Sequence, residues 1–246
     1  MRKLKLNTTF LGIVLVCGML TSMSHNYAKA SKNKYRSILT TQLGFNPQNT
    51  VIVFDIHDVI TEIAPQKIWP AFWELSHKGA FLGKAFKYFF KNKKKQRSIE
   101  ELMLTNQIDR DNKATIALIN PHIPIPETTA ILRKLKNTDY QIYGCSNIGQ
   151  ASFEFMQQQY PTTFKLMTAC RTSNKANRYM KKTNPLAYQE TIKMIETHFP
   201  QVQHIVFVDN KIENLKLATQ VDQRFYGILF KNPKQLRMDL IRLGIL

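Results

Sequence analysis

Asp55 closes an apolar, β-branched run, Val51-Ile52-Val53-Phe54, and is followed by a polar turn that contains His57 and Asp58. A buried parallel strand delivers a carboxylate to the carboxyl edge of a sheet in this way, and α/β proteins place their chemistry at that edge. A second carboxylate, Asp209, closes His204-Ile205-Val206-Phe207-Val208 and is followed by Asn210. Between the two, Gln141-Ile142-Tyr143-Gly144-Cys145 ends in Ser146-Asn147, and Lys182 stands three residues ahead of Pro185, where a helical pattern begins. Two carboxylates, a hydroxyl, helix-start amides and one ammonium suit a divalent cation together with a phosphoryl group. Mg²⁺ characteristically engages one or two carboxylates and the substrate phosphate. The hydroxyl, amides and ammonium would take the remaining phosphate oxygens. Each residue also has a plain structural reading: a strand-end Asp as turn former, Ser146 as a helix cap, Lys182 as a solvated neighbour of Lys181. Their order, each at an element boundary, is what points to a site.

The elements that must position them follow from periodicity. Apolar runs at 51–55, 141–145, 165–169, 204–208 and 225–230 read as strands. Helical patterns lie between them: 127–137 opened by Pro126, 149–159 with Phe153 and Phe155-Met156, a helix from Pro185 with Ile192 and Ile195 inward, 210–221, and a last one opened by Pro233. Strands alternating with helices imply βαβ units and a parallel sheet covered on both faces. About 85 residues separate the first strand from the second, far more than one crossover needs. The segment 62–121 must therefore form its own insertion, and its content reads as helical, with Ile68, Trp69, Phe72 and Trp73 at helical spacing.

The chain has 246 residues, 43% of them hydrophobic, enough for one domain with a substantial core and a smaller appendage. Arg2, Lys3 and Lys5 precede an uncharged, mostly apolar run at 10–20, and Ala28-Lys29-Ala30 offers small residues for cleavage. This reads as a signal peptide over 1–30 and an exported protein, since the apolar run is short for a membrane span; an uncleaved N-terminal anchor is the alternative. The net charge is +18, and removing the leader's four basic residues leaves about +14. Such a balance favours anionic partners: phosphorylated substrates, an acidic membrane surface or nucleic acid. No nucleic-acid-binding module is visible in the sequence, which ranks that partner last. Cys145 and Cys170 remain after processing, and buried free thiols are favoured over a disulfide.

Phe54-Asp55-x-x-x-Val59-Ile60-Thr61, Ser146-Asn147, Lys182-x-x-Pro185-x-x-Tyr188 and Val206-Phe207-Val208-Asp209-Asn210-x-x-x-Asn214 resemble, in this order, the four motifs of the haloacid dehalogenase-like (HAD) hydrolase superfamily. The similarity covers essentially 48–243, and its first and fourth motifs are the specific ones. It implies an α/β fold, a Rossmann-like doubly wound parallel sheet formed by 31–61 and 122–246, with 62–121 as a small α-helical cap. It further implies a phosphomonoesterase in which Asp55 attacks phosphorus, which the leader reading makes an exported one. Asp55, Asp209 and the backbone carbonyl of His57 would hold Mg²⁺, while Ser146, Asn147 and Lys182 bind the transferring group.

One departure stands out. The family's usual second aspartate, which protonates the leaving group and then activates water, is here His57. Three readings follow. The imidazole does the same work, being a common acid/base near neutral pH. Alternatively Asp58 substitutes for it. In the third reading hydrolysis is impaired and the protein binds a phosphorylated ligand or an anionic membrane surface as an effector. The insertion's stretch 84–97 interleaves aromatics with positive charge. It reads as an amphipathic helix with a basic end, and secondarily as a membrane-surface or substrate-attracting element.

Overall fold

The computed structural model describes residues 44–64, 66 and 121–246. The leader at 1–30 and nearly all of the insertion, including its basic stretch 84–97, lie outside the described residues. Five parallel strands form one sheet: β1 (Thr50–Phe54), β4 (Gln141–Gly149), β5 (Ala169–Ser173), β6 (His204–Asp209) and β7 (Phe225–Leu229), in the order β5-β4-β1-β6-β7. The chain starts in the centre, builds outward through β4 and β5, then returns to the other side of β1 for β6 and β7. The reversal places a crevice at the carboxyl end of β1.

β1 is buried at every position, and its alternation sorts the core into two layers. Ile52 and Phe54 face one way, with Ile142, Val206, Val208 and Ile228. Leu132 and Leu135 of α1 (Pro126–Asn137) and Leu236 and Leu240 of α6 (Pro233–Arg242) cover them, together with Met156 of α2 (Gln150–Gln159) and Phe164 of α3 (Pro161–Phe164). Val51 and Val53 face the other way, with Tyr143, Cys145, Ile205 and Phe207. Here the cover is Tyr188 and Ile195 of α4 (Leu186–His198) and Leu215 and Ala218 of α5 (Ile212–Val221). β1, β4 and β6, the inner strands, are thus apolar on both faces, as a parallel sheet clad in helices requires.

One strand lies elsewhere than its apolar run suggests. The run at 165–169 ends where β5 begins: Lys165 and Leu166 form the turn after α3, and the strand is Ala169–Ser173. Its last three residues, Arg171, Thr172 and Ser173, are polar yet buried. Periodicity of apolar residues cannot see a strand whose inward groups are satisfied by hydrogen bonds.

The insertion is framed by a two-stranded antiparallel ribbon, β2 (Thr61–Ile63) and β3 (His122–Pro124), which pairs Thr61 with Pro124 and Ile63 with His122. Ala64 N–H donates to the Pro121 carbonyl at 2.7 Å, so the chain leaves and re-enters the core at adjacent points.

Candidate active site

Strand register alone brings the two acids together. Phe54 pairs with Val208, so Asp55 and Asp209, each one residue further on, stand side by side on β1 and β6. Phe54 also pairs with Gly144, which sets Ser146 just past Asp55 on the opposite flank. Both carboxyls are buried, and Lys182 lies between them with Nζ 2.7 Å from Asp55 Oδ2 and 2.7 Å from Asp209 Oδ2. Lys182 is 1% exposed, whereas the sequence alone leaves it equivalent to Lys181. Burial by itself would lower the Lys182 pKa, but Asp55 and Asp209 outweigh it and hold the ammonium charged above the ordinary lysine range.

The remaining oxygens are tied down by nearby donors. Ile56 N–H donates to Asp55 Oδ1 at 2.8 Å, and Lys211 N–H to Asp209 Oδ1 at 2.8 Å. Asn214 Nδ2 bridges both Asp209 oxygens at 3.1 and 3.0 Å, which gives the asparagine in the first turn of α5 its task. Burial, reinforced by the negative charge of Asp55, pushes the Asp209 carboxyl up to about 6 against the pull of Lys182.

Ser146 is buried but does not cap a helix. β4 continues to Gly149, which is the N-cap of α2, and Ser146 Oγ instead accepts from Ile148 N–H at 3.3 Å. The amides of Ser146 and Asn147 therefore belong to an irregular strand end rather than to a helix start. Register breaks there: Cys145 pairs with Arg171 and Gly149 with Ser173, so β4 carries two more residues than β5 over this stretch. Such a bulge re-aims side chains at a sheet edge. Asn147 Oδ1 accepts from the Lys182 N–H at 2.6 Å and so fastens the serine-bearing strand to the lysine-bearing loop.

His57 sits on the rim, its side chain 43% exposed, with Nε2 3.4 Å from Asp58 Oδ2. Asp58 has φ 58°, a left-handed turn position that aspartate tolerates, and Asn210 Nδ2 reaches its Oδ2 at 3.5 Å. The ring of His122, from the ribbon strand β3, stands edge-to-face against His57 with centroids 4.7 Å apart. Burial, then the neighbouring His57, lowers the His122 pKa to about 4, so this second imidazole is neutral at neutral pH. Sequence reasoning passes over His122, because the ribbon that brings it back to His57 spans the whole insertion.

Among the described residues no three His, Cys, Asp or Glu side chains come together. Two carboxylates are nevertheless adjacent, and Asn210 Oδ1, next to Asp209, is buried without a hydrogen-bond partner. Hard oxygen donors of this kind, few in number, fit Mg²⁺, which keeps several waters and shares its shell with a phosphate. Cys145 and Cys170 are free thiols, and Thr191 Oγ1 donates to Cys145 Sγ at 3.3 Å.

No family model and no curated protein sequence matches the chain. Solved structures do. A HAD-like family hydrolase from Porphyromonas gingivalis superposes with a TM-score of 0.52 at 15% identity, covering 79% of this chain and 98% of that one. A HAD family enzyme from Bacteroides thetaiotaomicron, solved as a point mutant with magnesium and inorganic phosphate, superposes with a TM-score of 0.51 at 14% identity, covering 74% of this chain and 94% of that one. The chain thus has the haloacid dehalogenase-like fold: a Rossmann-like, doubly wound α/β sheet with its acidic residues at the switch point.

Proposed function

We propose that the chain is a Mg²⁺-dependent phosphomonoesterase working through an aspartyl-phosphate on Asp55. The observation that carries this reading is the placement of Lys182 between two buried carboxylates at the switch point of a HAD-like sheet. A magnesium and phosphate complex of a neighbour with the same fold adds to it. Asp55, Asp209 and the His57 backbone carbonyl would hold the metal, with Asn210 Oδ1 as an outer oxygen; bound there, the metal would neutralise charge on the phosphoryl oxygens.

The protein's own groups perform the transfer. An Asp55 oxygen bonds to phosphorus as the ester oxygen leaves, and the imidazolium of His57 gives that oxygen its proton. In the second half a water attacks phosphorus, neutral His57 takes its proton, phosphate departs and the Asp55 carboxylate is restored. Lys182 and Ser146 stabilise the charge on the equatorial oxygens. His57 suits this role because its ring lies on the accessible rim while its imidazole is held between Asp58 and His122. Dehalogenation is less favoured, since it would leave Asp209 and its three donors without a task.

Release of p-nitrophenol from its phosphate ester, with Mg²⁺ and with chelator, tests the reading. Turnover should require Mg²⁺ and fall by at least about a thousandfold in Asp55→Asn. His57→Ala should lose roughly 100- to 10,000-fold, the worth of a general acid/base, and His57→Asp should recover most of it. Undiminished activity in Asp55→Asn would reject the nucleophile. A wild-type protein that binds inorganic phosphate without turning over the ester would favour a binding or effector role instead.

A further inference from the structure

We propose that Arg171 is a positioning residue that sets the spacing of the two phosphate-binding segments, gripping the carbonyls of Ser146 and Met180 with a single guanidinium; the inference rests on the phosphoryl-transfer reading above. Arg171 is on the outermost strand β5, yet it is only 5% exposed. Its nitrogens face three ways. Nη1 donates to the Ser146 carbonyl at 3.3 Å, Nη2 to the Met180 carbonyl at 2.7 Å, and Nε to Glu190 Oε2 on α4 at 3.0 Å.

Both carbonyls need an external partner. Ser146 lies where β4 parts from the register of β5, so the ladder does not fix its backbone. Met180 precedes Lys182 by two residues, in a segment from Asn174 to Pro185 that contains turns but no helix or strand. Two residues of that segment, Arg178 and Tyr179, hold φ of 53° and 56°, so the chain there is bent against its local preference. Without an anchor, neither the serine nor the lysine would have a defined distance to phosphorus. Arg171 ties the two backbones together, and Asn147 does so again through the Lys182 N–H. Asn177 braces the outer side, donating to the Thr172 carbonyl at 2.8 Å and to Glu190 Oε2 at 3.2 Å.

A buried cation is a costly way to secure an edge strand, because well-packed apolar residues usually do as well. Its use makes sense where three acceptors lie in different directions. The planar five-donor fork of arginine reaches them together, and a lysine ammonium on its flexible stem does not. With these nitrogens engaged inside the protein, Arg171 acts on a substrate only through Ser146 and Lys182.

Arg171→Met and Arg171→Lys test the proposal, the second retaining charge and the Glu190 pair in case the first does not fold. The proposed metal ligands are carried by β1 and β6 and keep backbone N–H partners of their own, Ile56 and Lys211, so losing the grip should act on phosphate before it acts on the metal. Both variants should lower kcat by roughly 10- to 100-fold and weaken inhibition by inorganic phosphate by about tenfold or more, while half-activating Mg²⁺ stays within about twofold. Phosphate inhibition equal to wild type, or phosphate and Mg²⁺ constants shifting together as in a general loosening, would overturn it. If the wild type does not turn over the ester, calorimetric binding of phosphate and of Mg²⁺ reads the same split. That result would count against the phosphomonoesterase alone, whereas absent or unaltered phosphate binding would overturn the role of Arg171.

Discussion

Lys182 brings one positive charge to two buried carboxylates, a formal excess of one negative charge that the proposed function assigns to Mg²⁺. Removing the ammonium should therefore do more than weaken phosphate binding. Lys182→Met leaves Asp55 and Asp209 uncompensated and adjacent, which should cost roughly 3–5 kcal/mol of stability in chelator. Mg²⁺ bound as proposed, to the folded form alone, should return about 2.7 kcal/mol at a hundredfold excess over its dissociation constant. Urea unfolding with and without Mg²⁺ reads both effects; a variant as stable as wild type in chelator, or one unmoved by Mg²⁺, would refute the arrangement. Asp55 and Asp209 were legible in the sequence because a buried strand ending in an acid is a local pattern. Lys182 was legible only through its order among the others, since nothing local separates it from Lys181. His122 and Arg171 were illegible: His122 meets a ring from before the insertion, and Arg171 joins acceptors 25 residues back and 9 and 19 residues ahead, which no local pattern registers.

At the level of elements, the apolar runs located β1, β4, β6 and β7 to within a residue or a few, and the helices opened by Pro126 and Pro233 lie where proline predicts them. β5 was displaced because its second half, Arg171-Thr172-Ser173, is polar and buried, so its signal is a hydrogen-bond network rather than a hydrophobic period. Its packing against β4 is also unusually close. A Cβ added at Gly144 would come within 2.4 Å of Cys170 Sγ, 2.7 Å of Met167 Cε and 3.0 Å of Cys170 Cβ. The methionine can swing away, but the cysteine is short and fixed by the strand. Gly144→Ala should thus cost roughly 1–3 kcal/mol as an overpacked core does. It should also disturb the neighbouring bulge, lowering kcat. Gly144→Ala together with Cys170→Ala relieves the clash with the sulfur and should regain much of the loss; chemical denaturation of the wild type and both variants decides, and a neutral single variant would contradict this packing.

At the scale of the whole molecule the dominant feature is charge. The leader reading places the mature N-terminus near Ser31, which intact-mass measurement of the protein from an exporting host would verify, and a start at Met1 would refute. The full chain carries +18, far from balanced, and would still carry about +14 once the proposed leader is removed. A field of that sign does not choose a substrate, but it raises the local concentration of any anion and speeds its capture. Screening sets the expected signature. The Debye length shrinks from about 30 Å at 0.01 M salt to about 8 Å at 0.15 M, so long-range attraction fades while contacts inside the buried cluster persist. For a phosphate monoester, kcat/KM should fall several-fold across that range, with kcat nearly constant because Lys182, Asp55 and Asp209 are shielded from solvent. Sodium chloride and potassium acetate should act alike at equal ionic strength, as screening requires. A flat kcat/KM would mean that the surplus charge serves something other than substrate capture, and a falling kcat would mean that salt reaches the cluster itself.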